Sequence, residues 1–408
     1  MQFFKRKIYN KLKIHLEQPE ISLILGPRQA GKTTLMRHLA SDLESKGQKS
    51  AYFNLDIIED KQYFTSQHNF LSEVKKRIKS DKSVVFIDEV QRLKNAGLFL
   101  KGLYDLGTNY KFIVSGSGSL ELKADIIEPM TGRKKVFYCH PLSFSEFTAN
   151  KLGIEFDQVE SNLSANSYER KRLINEYFTY GGYPRVVLAN TYEEKQDILK
   201  EIYKSYLEKD IQLVLGVEKE EAFGMLVKIL ANQIGNIINR QEISSTLGIS
   251  EKTVEKYLGL LEKTFVIYIV KPYFTNVRKE LRKMPKVYFS DLGFLNLGRG
   301  GNFQSLIDGP FFENACYLRL AEEESVEPIH FWRSTSQAEV DFVMKRNKTN
   351  LVPIEVKMKS KVGTIGKSLI SFLKNYSLKK AYIYTLEIKS EIEKSGYKIK
   401  YIPYHLTI

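Results

Sequence analysis

Three stretches of this chain carry the residue types that perform phosphate and metal chemistry. The first, Gly26-Pro27-Arg28-Gln29-Ala30-Gly31-Lys32-Thr33, fits GxxxxGK[ST] position by position and is followed by Thr34. It stands directly after the apolar run ISLIL and directly before the helical pattern TTLMRHLA, the context of a P-loop. Glycines let the backbone wrap its N–H groups around phosphate, and the start of the following helix adds its positive pole. Lys32 then reaches the β- and γ-phosphates while the Thr33 hydroxyl ligates magnesium. In the second stretch, VVFIDEV, Asp88 ends an apolar strand as the expected water-mediated magnesium partner. Glu89 follows it as the group that positions water for attack on the γ-phosphate. Together these two stretches specify ATP with Mg. The third pairs Asp341 in AEVDFVM with Glu355 and Lys357 in LVPIEVK. Residues two apart on a strand face one side, so Glu355 and Lys357 project together and Asp341 can join them across a hairpin. Glu313, on FFENACYLRL, completes a ring of the kind that holds a divalent metal against a phosphodiester.

The surrounding elements have to place these groups. Over the first 150 residues, ISLILG, SAYFNLD, SVVFIDEV and KFIVSGSG alternate with charged amphipathic stretches, which predicts a parallel sheet flanked by helices. Residues 156–235 turn helical and polar, as in YERKRLINEYFTY, and read as a helical lid or connector. In 236–300, QEISSTLGI, a turn at Ser250 and EKTVEKYLGLLEKT, with Val254, Leu258 and Leu261 at helical spacing, predict a helix-turn-helix. The β-rich runs FVIYIVKPYF and KVYFSD, joined by the basic NVRKELRKMPK, complete a winged helix. Its second helix offers Lys252, Thr253 and Lys256 to DNA phosphates, and its wing offers Arg278, Lys279, Arg282, Lys283 and Lys286. Residues 301–408 begin with a helix and continue as strand–helix alternation, a small α/β module.

Composition sets the bounds. With 408 residues, 43% hydrophobic and 12% aromatic, the chain can build several packed cores. A net charge of +14 favours a polyanionic partner such as nucleic acid. Only Cys139 and Cys316 occur and no CxxC is present, so neither a disulfide framework nor a cysteine zinc site is expected, and a reducing cytoplasm fits. The opening MQFFKRKIYNKLKIHL has lysines every few residues and lacks the apolar core of a signal peptide. No stretch reaches the roughly 18 uninterrupted apolar residues of a membrane span, so a soluble protein without a membrane partner is expected.

Taken in order, LILGPRQAGKTTL, FIDEVQ, VSGSGSLEL, TGRKKVFYCHPLSFSEF, YGGYPRVV, LLEKTFVIYIVKPY, YFSDLG, FWRSTSQAEVDFV and PIEVK resemble the prokaryotic AAA-type ATPases whose C-terminal half is a domain of unknown function. The resemblance implies that Ser115 senses the γ-phosphate, and that Arg133, in TGR, contacts phosphate from a neighbouring subunit or from its own. It also implies that Gly182 to Pro184 and Arg185 form a lid motif near the base, and that the chain is a homo-oligomer, with a hexameric ring as one form. The Asp, then Glu-x-Lys pattern resembles the restriction-endonuclease-like fold and, with its upstream helix glutamate, archaeal four-way-junction resolvases. The expected architecture is α/β: a P-loop AAA-type ATPase domain (1–155), a helical lid (156–235), a winged helix (236–300) and a restriction-endonuclease-like α/β module (301–408). Such a chain would be a DNA-processing ATPase acting on branched duplex or four-way-junction DNA, its last module gripping or cutting. Two other readings stay open: a nucleotide-dependent switch that binds a protein partner, and a metal-dependent endonuclease licensed by ATP.

Overall fold

Strands that are apolar on both faces need helices on both sides, and the N-terminal sheet has that form. The computed structural model describes residues 3–79, 83–117, 130–206, 220–273, 284–301, 303, 307–322, 328–347 and 350–408. Strands β1 (Ile21–Gly26), β2 (Ser50–Asn54), β3 (Val84–Asp88), β4 (Lys111–Ser117) and β5 (Lys134–Tyr138) lie in the order β2-β3-β4-β1-β5, every neighbouring pair parallel. Every residue of β1, β3 and β4 is buried. Leu23, Leu25, Val85, Ile87 and Val114 pack on one side of the sheet, and Ile24, Val84, Phe86 and Ile113 on the other. The first four strands are those expected from sequence. The edge strand β5 is an addition: KKVFY buries only Phe137, too little for an apolar pattern.

A helical region follows, with helices Phe144–Leu152, Val159–Ala165, Ser167–Tyr180, Pro184–Leu188, Tyr192–Tyr206 and Glu220–Asn232. Helices Arg240–Leu247 and Glu251–Lys263 are joined by a tight turn. Ser250 caps the second by accepting the Thr253 N–H at 3.1 Å, and Val254, Leu258 and Leu261 are buried, as their spacing predicts. An antiparallel pair, β6 (Ile267–Val270) with β7 (Lys286–Phe289), comes next. Arg278, Lys279, Arg282 and Lys283 lie outside the described residues.

Beyond the helices Leu292–Gly298 and Gly309–Ala321 stands a second sheet made of β8 (His330–Arg333), β9 (Glu339–Asn347), β10 (Asn350–Val356), β11 (Lys380–Thr385), β12 (Ser390–Lys394) and β13 (Tyr397–Pro403). Its order is β12-β13-β11-β10-β9-β8. Instead of simple strand–helix alternation, β8, β9 and β10 form an antiparallel meander, and helix Lys367–Asn375 crosses over to the parallel β11. One hydrophobic core runs from Leu142 through Phe178, Leu230, Leu261, Tyr288 and Phe312 to Tyr404. The three units drawn at 156–235, 236–300 and 301–408 therefore share their packing. Among the described residues no helix is long and apolar enough to cross a membrane.

Within this core a buried carboxylate ties helix Leu292–Gly298 to the turn after helix Ser167–Tyr180. Asp291 caps helix Leu292–Gly298 through the Phe294 N–H (3.1 Å) and accepts the Gly182 N–H at 2.7 Å. A Cβ on Gly181 would lie 2.2 Å from that carboxylate, and one on Gly182 would lie 2.0 Å from the Leu142 carbonyl. Both positions of YGGYPR thus demand glycine. Burial raises the Asp291 pKa from 3.8 to about 6, opposed by the N–H groups of Gly182, Phe294 and Gly293. Because the folded pKa lies above the unfolded one, the native state holds a proton that the unfolded chain gives up between those values, and this part of the stability is lost as pH rises through about 6. The stability of wild type relative to Asp291→Asn should therefore fall between about pH 4 and pH 6 and level off above, measured by urea unfolding. A difference that stays constant across that range would contradict the raised pKa.

Candidate functional site

β1 stops at a glycine for a steric reason: a Cβ on Gly26 would sit 2.0 Å from the Cys139 carbonyl. The loop that follows places Gln29 and Gly31 in left-handed conformations, with φ of 59° and 96°, before helix Lys32–Ser45 begins. Lys32 is buried, and its ammonium donates to the carbonyls of Gly26 (2.9 Å) and Pro27 (2.8 Å). Burial lowers its pKa, with Glu89, Cys139 and Asp88 acting in the opposite sense. A phosphate placed beside it would favour the charged form.

The ends of β3 and β4 bring the acidic side of the site together. Asp88 is fully buried and accepts from the Tyr52 hydroxyl at 2.7 Å, from the Ser115 hydroxyl and from the Glu89 N–H at 3.1 Å. The Glu89 N–H also reaches the Ser115 oxygen at 3.2 Å. Burial, then Asp88, push the Tyr52 phenol pKa up, so it stays a donor. With both carboxylate oxygens already accepting, Asp88 fits a metal held through water better than direct ligation. Glu89 has φ 58° and ψ 43°, a left-handed backbone that costs a non-glycine residue about 1 kcal/mol or more, the kind of strain stored at functional sites. The Gln91 amide donates to the Glu89 carboxylate and itself accepts the Ser117 N–H at 3.1 Å.

These groups border a cleft of about 470 Å³ whose lining includes Arg28, Gln29, Gly31, Lys32, Thr33, Thr34 and Glu89. Arg185 lies on it too, donating to Gln29 at 2.9 Å and gripping Glu201 with two bonds of 2.9 and 3.0 Å, so the GGYPR stretch reaches the P-loop. Sequence reasoning missed the cleft's other wall, Phe3, Phe4 and Arg6. Arg6 is buried, donates to the Ala30 carbonyl at 3.0 Å and to the His140 carbonyl at 2.5 Å, and pairs with Glu146 at 3.2 Å. Burial opposes its charge, but Glu146 and Cys139 outweigh that and hold its pKa above the usual value. No spacing rule distinguishes Arg6 from its neighbours in FFKRK, because its partners lie far along the chain. Tyr52 and the Gln91 contact with Ser117 were missed for the same reason.

The Arg133 backbone stands at the opening end of β1, opposite the end that leads into the P-loop. Arg133 precedes β5, its carbonyl accepts the Ile21 N–H at 2.9 Å, and its side chain pairs with Asp105 at 2.7 Å. Ile21 opens β1 and the P-loop follows its other end. At about 3.3 Å per residue, β1 separates the Arg133 backbone from the P-loop by about 17 Å.

The C-terminal acids are brought into one neighbourhood, but not as an open metal ring. On antiparallel β9 and β10, Ile354 stands opposite Phe342, so Asp341 and Glu355 are cross-strand neighbours, and Asp341 accepts the Val356 N–H at 2.7 Å. Lys357 pairs with Glu355 at 3.0 Å. Glu313 accepts from the Tyr288 hydroxyl at 2.5 Å and from Lys286 at 3.2 Å. Lys286 also pairs with Glu339 at 2.6 Å. Burial and then Glu313 push Asp341 up to about 7, against Lys286, the Val356 N–H and Lys357. Among the described residues no three His, Cys, Asp or Glu side chains are placed to hold a metal ion. Lys286, expected on a DNA-facing wing, is instead 1% exposed and sits among the carboxylates. Lys252 and Lys256 are exposed, but Glu251 and Glu255 share their helix surface, and Arg240 pairs with Glu255 at 3.0 Å.

Comparison with known proteins agrees with the nucleotide half. Residues 18–148 match the AAA domain, residues 171–302 a domain of unknown function (DUF8612) and residues 308–406 a second domain of unknown function (DUF4143). An uncharacterized protein of Haemophilus influenzae is 27% identical over 313 residues, 74% of each chain. One from Methanocaldococcus jannaschii is 25% identical over 86% of this chain and 78% of its own length. A Mycobacterium tuberculosis protein, also uncharacterized, is 25% identical over 84% and 71%. Among solved structures, AMPPCP-bound DnaA from Aquifex aeolicus is similar at 15% identity over 63% of this chain and 88% of that one, with a TM-score of 0.28, a level that bears no argument. Residues 18–148, which hold the P-loop sequence, thus match an AAA domain.

Removing Arg6 tests how the cleft is built. Arg6→Ala leaves Glu146 buried without its cation and should cost about 3–5 kcal/mol of stability in urea unfolding. Arg6→Lys, which restores the charge but not the planar fork, should recover only part. A loss below about 1 kcal/mol would mean that Arg6 is a surface-like pair.

Proposed function

We propose that this protein binds and hydrolyses ATP with Mg and uses the cycle to act on nucleic acid. The observation that carries the ATPase reading is the meeting of Lys32, Asp88, Glu89 and Ser115 at the ends of three adjacent parallel strands, beside the P-loop cleft. In this reading the backbone of Gly26 to Thr34 cradles the triphosphate, and Lys32 leaves the loop carbonyls to face the β- and γ-phosphates. Thr33 and, through water, Asp88 would hold magnesium, which supplies charge neutralisation of the phosphate oxygens when bound. Glu89 orients the attacking water once its carboxylate is released from Gln91. Ser115 fixes Asp88 and the Glu89 backbone, and Arg185 with Gln29 closes the lid side. Arg133, whose backbone stands at the other end of β1 from the P-loop, acts on the neighbouring subunit in a homo-oligomer.

Nucleic acid is the partner favoured by the net charge of +14 and by the helix pair with its antiparallel strands, which we read as a winged helix. Lys252 and Lys256 are its described phosphate contacts, with Arg278, Lys279, Arg282 and Lys283 assigned to the wing. The helix, three strands, helix, strand order over 309–385, with Asp341, Glu355 and Lys357 on neighbouring strands, supports a restriction-endonuclease-like module that grips branched or four-way-junction DNA. The buried free thiols of Cys139 and Cys316 accord with a cytoplasmic setting.

Lys32→Ala should lose ATP binding, whereas Glu89→Gln should bind ATP and turn it over at least about 100-fold more slowly. Hydrolysis by Glu89→Gln at the wild-type rate would remove Glu89 from the reaction. Mixing inactive Lys32→Ala with inactive Arg133→Ala should restore partial turnover, and verified mixed oligomers that stay inactive would exclude action between subunits. Wild-type turnover measured with single-stranded, duplex and four-way-junction DNA decides the partner. Stimulation supports the nucleic-acid reading, and indifference to all three rejects it in favour of a protein-binding switch.

A further inference from the structure

The main chain on both sides of Arg6 is fastened to helix Phe144–Leu152. The Lys5 N–H donates to the Asn150 side-chain oxygen at 2.7 Å, and the Asn150 amide returns a bond to the Lys5 carbonyl at 2.9 Å. The Lys7 N–H donates to Glu146 at 2.7 Å. Residue 6 therefore has a fixed starting point, from which its buried guanidinium reaches the P-loop. There Nη1 donates to the Ala30 carbonyl at 3.0 Å, Nη2 donates to the His140 carbonyl, and Nε lies 3.2 Å from the Glu146 carboxylate.

The peptide that Arg6 grips is one the loop holds poorly by itself. Ala30 is fully buried between two left-handed residues, Gln29 and Gly31, and Gln29 adopts that conformation against the steric preference of a non-glycine residue. The other donor at the Ala30 carbonyl is the weak Cys139 thiol, at 3.6 Å. A trans peptide is planar, so its carbonyl and its N–H point in opposite directions. With the Ala30 carbonyl turned onto Arg6, the Gly31 N–H points away from the guanidinium. A Cβ on Gly31 would lie 3.8 Å from Arg6 Nη1 and 3.7 Å from Pro184 Cγ, so Arg6 packs directly beside this glycine, which lines the cleft with Lys32 and Thr33.

We propose that Arg6 is a positioning residue for phosphate: by holding the Ala30 carbonyl it aims the Gly31 N–H at the phosphate groups of the nucleotide. The proposal rests on the reading of the cleft as an ATP site, and it assigns Arg6 to the phosphate end of the ligand. In this role the guanidinium acts through the loop, because its charge is committed to Glu146 and its N–H groups to two carbonyls. Lysine at position 6 can keep the ion pair, but an ammonium on a flexible stem does not reproduce the planar fork that joins two carbonyls and a carboxylate.

The test uses the full chain with two ligands, ATP and inorganic triphosphate, which carries the phosphates without a base. Both are titrated with Mg present and read by equilibrium binding. Folded Arg6→Lys and Arg6→Gln should each bind both ligands at least about tenfold more weakly than wild type, the order of one charge-assisted hydrogen bond. An Arg6 that serves packing alone would lower the melting temperature and leave the affinity of the folded variants unchanged, and that result overturns the proposal. Weakened ATP binding with unchanged triphosphate binding would put Arg6 at the base and overturns it as well. Residue-resolved hydrogen exchange on the wild type needs no variant: the Gly31 amide should slow when triphosphate is added. Unchanged exchange at Gly31 with triphosphate bound rejects the proposal even if neither variant folds. A wild type that binds neither ligand rejects the ATP reading and the proposal together, whereas a wild type that binds both, with variants that bind equally well, rejects the proposal alone.

Discussion

The arrangement of this chain depends on one buried carboxylate, Asp291, whose acceptor oxygens meet the backbone of the GGYP turn. Gly181 and Gly182 have no side chains because Asp291 and the Leu142 carbonyl occupy that space. The adjoining Pro184 and Arg185 border the nucleotide cleft. A carboxylate buried this completely is tolerated because N–H groups replace its lost water. Its position is therefore tightly specified: the GGYP turn and helix Leu292–Gly298 cannot move apart without leaving a buried polar group unpaired.

Electrostatics set the character of the cleft in the same way. Lys32, Asp88 and Arg6 are each nearly or wholly withdrawn from water, and each is compensated by different partners. Asp88 is held by hydroxyl and N–H donors, Arg6 by a carboxylate and two carbonyls, and Lys32 by two loop carbonyls. Of these, the carbonyl pair is the compensation most easily improved, because a carbonyl dipole offsets an ammonium less well than a full negative charge does. A triphosphate provides that charge. The loop is thus arranged so that its lysine gains more from ligand than from the protein, which is what a binding site requires.

Local patterns exposed much of this in the sequence. β1 to β4 were legible because each is a short apolar run between charged helical stretches, and the P-loop because its glycines, lysine and threonine are contiguous. The pair of helices around Ser250 could be read from one cap and the spacing of Val254, Leu258 and Leu261. What stayed hidden depends on contacts between residues far apart in the chain. Arg6 becomes part of the cleft only through Ala30, His140 and Glu146. β5 has too few apolar residues to announce itself, and it forms because β1 offers a free edge. Lys286 reads as one more cation in a basic run, and only the register of β6 with β7 turns it inward. The convergence of Asp341 and Glu355 was foreseeable from hairpin geometry. The identity of the cation between Glu313 and Glu339 was not, because it comes from another part of the chain.

That cation also connects the two ionic centres. Lys286, Tyr288 and Asp291 belong to one short run, β7 and the residues just after it, whose side chains are committed at both ends. At one end the run is pinned to Glu313 and Glu339, at the other to the GGYP turn beside the P-loop. Extended backbone transmits displacement along its axis with little slack, since only rotation about its soft dihedrals can absorb it. Separating Gly182 from Asp291 would therefore either break a hydrogen bond to a buried carboxylate or draw β7 along. In the second case the element displaced is the one that bears Lys286. One short run of chain is thus held at Lys286 by two carboxylates and at Asp291 by the turn that leads to the nucleotide cleft.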